Sequence, residues 1–336
     1  MRTKLFSDAI DDYVNHMTAK GLAPNTVKAT AIPLRRALTI IGNIYVNNIR
    51  PDHIDQVFSN NNWAPKTRNL YLQVLRLFFA YVRRQGWASR DFDPTESWRM
   101  VKAPRVEQPR IPIEDFPRLL DAATDPRDRA VCALGLFTFC RSSEIQTLKI
   151  RDLDFGAGTV SIYRHKTKEA DVLPLVSELA VEMTRWLNFY QEQQGTLNED
   201  WFLVPAKGPL PMIRDPKIGR LRPSGEPARL RPTKAMTHPY RAAQRPLRAI
   251  GLKDRGVGGH VLRRSGAYCL FLRLRHEGYD GALKRVQSML GHANAATTEV
   301  YLSLGMERMQ RNELLAGRPM FPDMPTTGSL SELRAV

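Results

Sequence analysis

At 336 residues, 43% of them hydrophobic and 25% charged, the chain has the composition of a soluble globular protein and is comfortable for two domains. Its 50 Lys and Arg against 34 Asp and Glu leave a formal charge of +16; this favours a polyanionic partner, since each phosphate neutralised releases counterions, with a solvated basic surface as the plainer alternative. No run of about 18 apolar residues is present and the N-terminus lacks the apolar core of a signal peptide, so neither a membrane-spanning helix nor secretion is expected.

The first hundred residues read as four or five helices. Phe6 to Lys20 sets Phe6, Ile10, Tyr13, Val14 and Met17 at helical spacing, with Gly21 as a stop and Pro24 as a fresh start. A second helix runs to about Ile41, with a kink expected at Pro33, and a short third follows Pro51. The clearest is Pro65 to Gln85. Its apolar stripe of Leu70, Tyr71, Val74, Leu77, Phe78, Tyr81 and Val82 reads as core, and Arg68, Arg76, Arg83 and Arg84 as solvated or DNA-facing. Residues 103–112 hold three prolines and no hydrophobic period, an extended linker that sets the domain boundary.

Beyond it, helices are predicted at about 113–123 and 126–140. Short strands follow at Lys149–Phe155, Thr159–Tyr163 and Asp171–Leu175, then a helix at 177–194 and a buried segment at Trp201–Val204. From 207 to 264 there are fifteen Lys and Arg against three acids, Asp215, Glu226 and Asp254. Its proline-rich part, 207–236, reads as an irregular extension, either disordered or laid on DNA. Helices resume at about 237–250, 260–277, 281–290 and 294–302. Cys132, Cys140 and Cys269 are too widely spaced for a zinc site or a disulfide framework and read as thiols of a reducing cytoplasm.

Three separated patches stand out: Arg141-Ser142-Ser143-Glu144, His260-Val261-Leu262-Arg263, and Leu290-Gly291-His292 with Tyr301 nine residues on. Each alone is weak, because an Arg-x-x-Glu is usually a helix-surface pair and a lone tyrosine is usually packing. Together, in order and after a basic helical region, they resemble the boxes of the tyrosine recombinase (phage integrase) family, and the likeness extends from about residue 5 to 305. The turn Arg164-His165-Lys166-Thr167 matches the hairpin on which the family carries a lysine; Lys168 is the competing assignment.

The resemblance implies a mainly α fold with a small antiparallel sheet. It further implies a SAM-like helical core-binding domain at 1–102, a catalytic domain at 113–304, and a tail at 305–336 that docks on the next protomer. The two domains would clamp a DNA duplex. Tyr301 would attack a phosphodiester to give a 3′-phosphotyrosyl link, which preserves the bond energy so that rejoining needs no ATP. Arg141 and Arg263 would clamp the non-bridging oxygens with planar, permanently charged forks. Lys166, an ammonium with a proton to give, would protonate the leaving 5′ oxygen. His260 would act as acid/base partner of Tyr301, His292 would donate to the phosphate, and Glu144 would orient the cations. No metal or cofactor is required.

The implied partners are double-stranded DNA with core-type sites and a homotetramer on two duplexes passing through a Holliday junction, with accessory DNA-bending or directionality proteins possible in a bacterial host cytoplasm. The implied role is integration or excision of a phage or mobile-element genome. A Xer-type chromosome or plasmid dimer resolvase, a type IB topoisomerase and a non-catalytic regulator are the alternatives, the last expecting a lost box residue. Departures from the pattern are Cys140 before Arg141, Arg264 in place of a histidine, the long 207–236 stretch, and a start so near the first helix that no arm-binding domain is expected.

Overall fold

The computed structural model of the chain describes residues 3–59, 62–104, 108–214, 220–226, 228–252, 258–302 and 304. The chain divides into two compact units, Met1–Val106 and Glu107–Val336. The whole is mainly helical with small antiparallel sheets. Among the described residues no helix is long and apolar enough to cross a membrane.

Among its described residues the first unit has four α-helices, α1 (Phe6–Ala19), α2 (Pro24–Ile41), α3 (Pro51–Ser59) and α4 (Pro65–Arg84). Three of them open on proline, whose fixed φ and missing N–H suit a first helical turn. α2 continues as one helix through Pro33. Phe78 of α4 meets the rings of Phe6 and Tyr13 at 5.6 and 5.7 Å, so α1 and α4 share the centre of the core. The buried face of α4 is Tyr71, Leu72, Val74, Leu75, Phe78, Phe79, Tyr81 and Val82. Leu70 and Leu77, expected in the core, lie seven residues apart on the flank of that face and are exposed. Two of the helix's arginines are partly buried and bond within the unit: Arg76 donates to the Trp98 carbonyl at 2.5 Å and Arg83 to that of Phe92 at 2.6 Å.

The second unit begins with residues held against its own core. Ile111 is buried and its N–H donates to Ser265 Oγ at 2.8 Å, while Arg110 lies over the Tyr268 ring at 3.8 Å. Then come α5 (Phe116–Ala122), α6 (Pro126–Phe137) and the short α7 (Ser142–Ile145). A meander of β1 (Leu153–Asp154), β2 (Thr159–Arg164) and β3 (Glu169–Pro174) precedes α8 (Ser177–Gln194). β4 (Pro205–Lys207) pairs with β7 (Leu230–Ala235), and between them β5 (Met212–Arg214) pairs with β6 (Leu221–Pro223). α9 (Gln244–Ala249), α10 (Gly259–His276), α11 (Ala282–Leu290) and α12 (Ala295–Tyr301) follow. The tail from 305 onward, where a helix at 306–315 is expected, lies outside the described residues, as do 215–219 and 227.

α6 is buried continuously from Ala130 to Leu136 and so is the central helix of this unit. α10 crosses it at backbone distance. A Cβ at Gly266 would fall 1.8 Å from the Leu136 carbonyl oxygen, and one at Gly135 would fall 3.0 Å from Leu262. Only glycine permits that approach, which fixes where the first turn of α10 stands.

Four sequence expectations change here. The strand expected at 149–155 shrinks to two residues, because the Asp152 carboxylate accepts the Lys149 N–H at 2.7 Å and winds Ile150–Asp152 into a 3-10 turn. The helix expected to Cys140 stops at Phe137, and Phe139 turns into the left-handed region at φ 53°. The single helix expected at 237–250 is a 3-10 turn, Pro239–Arg241, and then α9, because Pro246 has no N–H and is tolerated only in a first turn. The 207–236 stretch is not irregular throughout: its described residues include the two ladders. Pro232 falls where the β4–β7 register shifts, so no ladder donor is missed, and its carbonyl accepts from Phe202 N at 3.0 Å.

Candidate active site

The site is assembled on four helix ends and one hairpin of the second unit. After Phe139, whose left-handed backbone turns the chain, Arg141 stands at the N-terminus of α7. Glu144 reaches back over that end. It accepts the Arg141 N–H at 2.6 Å and the Arg141 guanidinium at 2.8 Å. The sequence alone allowed a helix-surface pair for Glu144. Its side chain is instead 1% exposed and receives Arg164 at 3.1 Å and Arg263 at 3.7 Å as well. Burial pushes the carboxyl pKa up, but the bonds from Arg141 and the charges of Arg164 and Arg141 outweigh it and leave the pKa lowered.

Arg263, on the first turn of α10, is 1% exposed. Its guanidinium donates to the Phe139 carbonyl and, at 2.5 Å, to the Leu290 carbonyl at the end of α11. Burial lowers its pKa to about 10, which still leaves it a cation at neutral pH. Leu290 is followed by Gly291 at φ 58°, a left-handed C-terminal cap. A Cβ there would sit 3.4 Å from Arg164 Nε, so conformation and space both call for glycine. His292 follows. Its Nδ1 lies 3.1 Å from Thr298 Oγ1, and its carbonyl accepts Gln287 Nε2 at 2.9 Å.

Tyr301 ends α12 with its ring edge-on to His292 at 5.4 Å. The guanidinium carbons of Arg264 and Arg263 lie 5.3 and 5.9 Å from its ring centre, and its hydroxyl donates to the His260 carbonyl at 3.3 Å. Burial raises the phenol's pKa despite the lowering charges of Arg263, Arg264 and Arg141, so the resting group carries its proton. His260 has an exposed surface, yet its ring loses water against protein. That desolvation, with Arg263, Arg264 and Arg141 nearby, lowers its pKa. His292 is driven to about 4 by burial and by Arg263, Arg141, Lys166 and Arg164. Both imidazoles are therefore neutral at pH 7.

The structure thus brings Arg141, Glu144, His260, Arg263, His292 and Tyr301 into one place. Lys166 and Lys168 stand exposed on the β2–β3 turn, outside the bonded cluster. The Lys168 N–H closes that turn onto the Arg164 carbonyl at 2.7 Å with φ 61°, which leaves Lys166 in its middle. Among the described residues no group of His, Cys, Asp and Glu could hold a metal ion.

Arg164 was not singled out from the sequence. It is 2% exposed and joins Glu144 at 3.1 Å, Asp171 at 2.9 Å and the Met289 carbonyl at 2.6 Å, tying the first and third patches to the hairpin. A signal existed. Val160, Ile162 and Arg164 alternate inward along β2, and a cation at an inward strand position requires buried partners.

Comparison with known proteins places the chain in a family. The phage integrase family matches residues 109–308. Tyrosine recombinase XerA of Thermococcus kodakarensis is 24% identical over 308 residues, covering 91% of this chain and 94% of its own. Tyrosine recombinase XerC of Azotobacter vinelandii is 29% identical over 245 residues, covering 71% and 69%. Among solved structures, a lambda integrase dimer bound to a COC′ core site superposes with a TM-score of 0.64 at 17% identity, over 90% of this chain and 78% of that one. XerH bound to a palindromic difH substrate gives 0.61 at 20% identity, over 89% and 82%. With most of the second unit inside the family match, this chain belongs to the phage integrase family of tyrosine recombinases, enzymes that cleave and rejoin DNA strands.

Proposed function

We propose that the protein is a site-specific recombinase of double-stranded DNA in which Tyr301 is the nucleophile. The observation that supports this best is the setting of Tyr301, its hydroxyl on the His260 carbonyl and its ring beside Arg263 and Arg264. A scissile phosphate above it would meet Arg141 and Arg263, whose charges oppose the negative charge that grows on its non-bridging oxygens. The neutral imidazole of His260 takes the phenol proton as the Tyr301 oxygen bonds to phosphorus. The bond from phosphorus to the 5′ oxygen breaks, and Lys166 supplies that oxygen's proton. His292 donates to the phosphate, and Glu144, held by three guanidinium groups, keeps the cations in place without touching DNA. Attack of a 5′ hydroxyl on the phosphotyrosine reverses the sequence on a new partner strand, so strands are exchanged two at a time through a Holliday junction in a homotetramer.

Covalent trapping on a nicked suicide duplex tests the assignment. Wild-type protein should form a protein–DNA adduct and Tyr301→Phe none, while both bind the duplex alike; an adduct from Tyr301→Phe overturns it.

Integration or excision of a mobile-element genome is the biological reading. The chromosome or plasmid dimer resolvase is the second, favoured by the nine-tenths coverage by a Xer recombinase. Efficient resolution of a plasmid dimer carrying repeats of one site supports the second; recombination only between unlike sites supports the first. The tail, 305–336, would dock on a neighbouring protomer. An apolar cleft of about 910 Å³, with Phe116, Leu120, Phe137, Val181 and Leu270 in its walls, supports that role. Removing the tail should abolish recombination and spare single-site binding.

A further inference from the structure

The strands β5 and β6 form a ribbon with no core of its own. Met212, Ile213 and Arg214 on one strand and Leu221, Arg222 and Pro223 on the other are all exposed, so neither face is covered by the rest of the unit. An isolated two-stranded ribbon is marginal in water. This one also leaves large apolar side chains in solvent, with Leu210 55%, Met212 49% and Leu221 65% exposed. A partner that covers them is therefore expected, and charge says which kind. Eight of the thirty residues from 207 to 236 are Lys or Arg and two are acidic. Arg214, Arg220, Arg222, Arg229, Arg231 and Lys234 are all exposed.

The register arranges these groups in a useful way. Ile213 is opposite Arg222 and Arg214 opposite Leu221, so each of those rungs sets one cation beside one apolar side chain. Cations bind phosphates, while apolar side chains suit sugar edges and thymine methyl groups. A duplex groove about 12 Å wide admits a two-stranded ribbon. The root of the ribbon also leads to the active site. β7 passes the chain to the Pro239–Arg241 turn, and Tyr240 of that turn lies within 3.3 Å of where a Cβ of Gly259 would stand, on the first turn of α10 that carries His260 and Arg263.

We propose that the β5–β6 ribbon is a second DNA-binding element, gripping duplex DNA beyond the segment held at Tyr301. It rests on the reading of the protein as a DNA recombinase and adds to it a contact outside the catalytic machinery. The functional consequence is affinity and footprint rather than chemistry.

The test uses the full chain with Arg214, Arg220 and Arg222 changed together to Gln, and in a second variant together to Lys. The probes are two labelled random-sequence duplexes, one just spanning the catalytic footprint and one extended well past it. Each lost phosphate contact lowers the slope of log affinity against log salt by about 0.9, so the Gln variant should lose about 2 to 3 units of slope on the long duplex. It should match wild type on the short one, and the Lys variant should behave as wild type on both. Covalent trapping through Tyr301 on the short suicide duplex should be unchanged in both variants. An unchanged slope on the long duplex overturns the proposal, as does an equal loss on both duplexes. An unchanged slope with loss only of the higher-order complexes would make the ribbon a protein-docking element and overturn it too. If wild-type protein itself traps no DNA, the recombinase reading fails and not the ribbon.

Discussion

Both units bury an apolar core, but only the second buries charged side chains among its described residues. In the first, the described core is aliphatic and aromatic, from Phe6 and Ile10 through Leu72, Leu75, Phe78 and Phe79, and its buried polar side chain among the described residues is Thr95. The second has a larger apolar core but also buries Glu144, Glu182, Arg164, Arg263 and Arg264. Charges are expensive to dehydrate, and well-packed apolar residues of similar volume often stabilise a fold as well or better. The first unit shows that this chain can build such a core. The charged cluster in the second is therefore not explained by stability. Glu182 aside, which pairs with Arg129, these charges gather around Glu144 and Tyr301, where the proposed reaction would need cations held still for a phosphate.

The sharpest way to break that contrast is to remove the shared anion. Glu144→Ala leaves Arg263 buried without a carboxylate and Arg164 with Asp171 alone, and stripping one partner from a buried pair costs about 3–5 kcal/mol. Denaturant unfolding should show that loss, and hydrogen exchange should place it in α10 and α11 while α4 stays protected. An effect spread equally over both units would contradict the account. Leu72→Ala, fully buried in the first unit, should cost about 2–4 kcal/mol through lost burial and a cavity. Here the exchange pattern should reverse, with α4 opening and α10 protected, and trapping on a saturating suicide duplex should survive.

The same contrast governs what could be read from the sequence. Apolar spacing located α1 to α4, because an all-apolar core writes its period directly into the chain. It erred on Leu70 and Leu77, which are exposed, and passed over Leu72, Leu75 and Phe79, which are buried, because the face that finds a partner is turned around the helix axis from the expected stripe. In the second unit the patches around Arg141, His260 and His292 were visible as motifs, but the tie between them was not. Arg164 lies 20 residues from Glu144 and 125 from Met289, and only the folded chain brings them within bonding distance. The short end of α6 was likewise illegible, because it depends on Phe139 offering its carbonyl to Arg263, a partner 124 residues away.

A smaller effect is expected where backbones rather than charges set the site. Gly266→Ala places a methyl group in the Leu136 carbonyl, so α10 must move off α6. Overpacking of this kind costs about 1–3 kcal/mol. Because Arg263 and His260 ride on the same helix, the single-turnover cleavage rate should fall by more than the binding of DNA does. Gly258→Ala, with open space around it, should cost no more than the roughly 1 kcal/mol of an alanine at the α10 N-cap and leave the cleavage rate unchanged. Equal behaviour of the two variants would mean that the crossing does not position the site.

The finest probe is pH. His292 in the unfolded chain takes a proton near 6.5, whereas in the folded unit burial and four cations hold it to about 4. Between those values the unfolded chain binds more protons than the native one, so stability is whole above about 6.5 and falls as pH drops toward about 4. His260, also lowered, acts in the same direction. His292→Gln should flatten the dependence of the unfolding midpoint on pH across that window, and NMR of the free protein should find the wild-type imidazole still neutral at pH 5.5. A midpoint near 6.5 would mean that neither burial nor the charges of Arg263, Arg141, Lys166 and Arg164 act on this ring. Added duplex should raise it, because a phosphate among the cations cancels the field that depressed it.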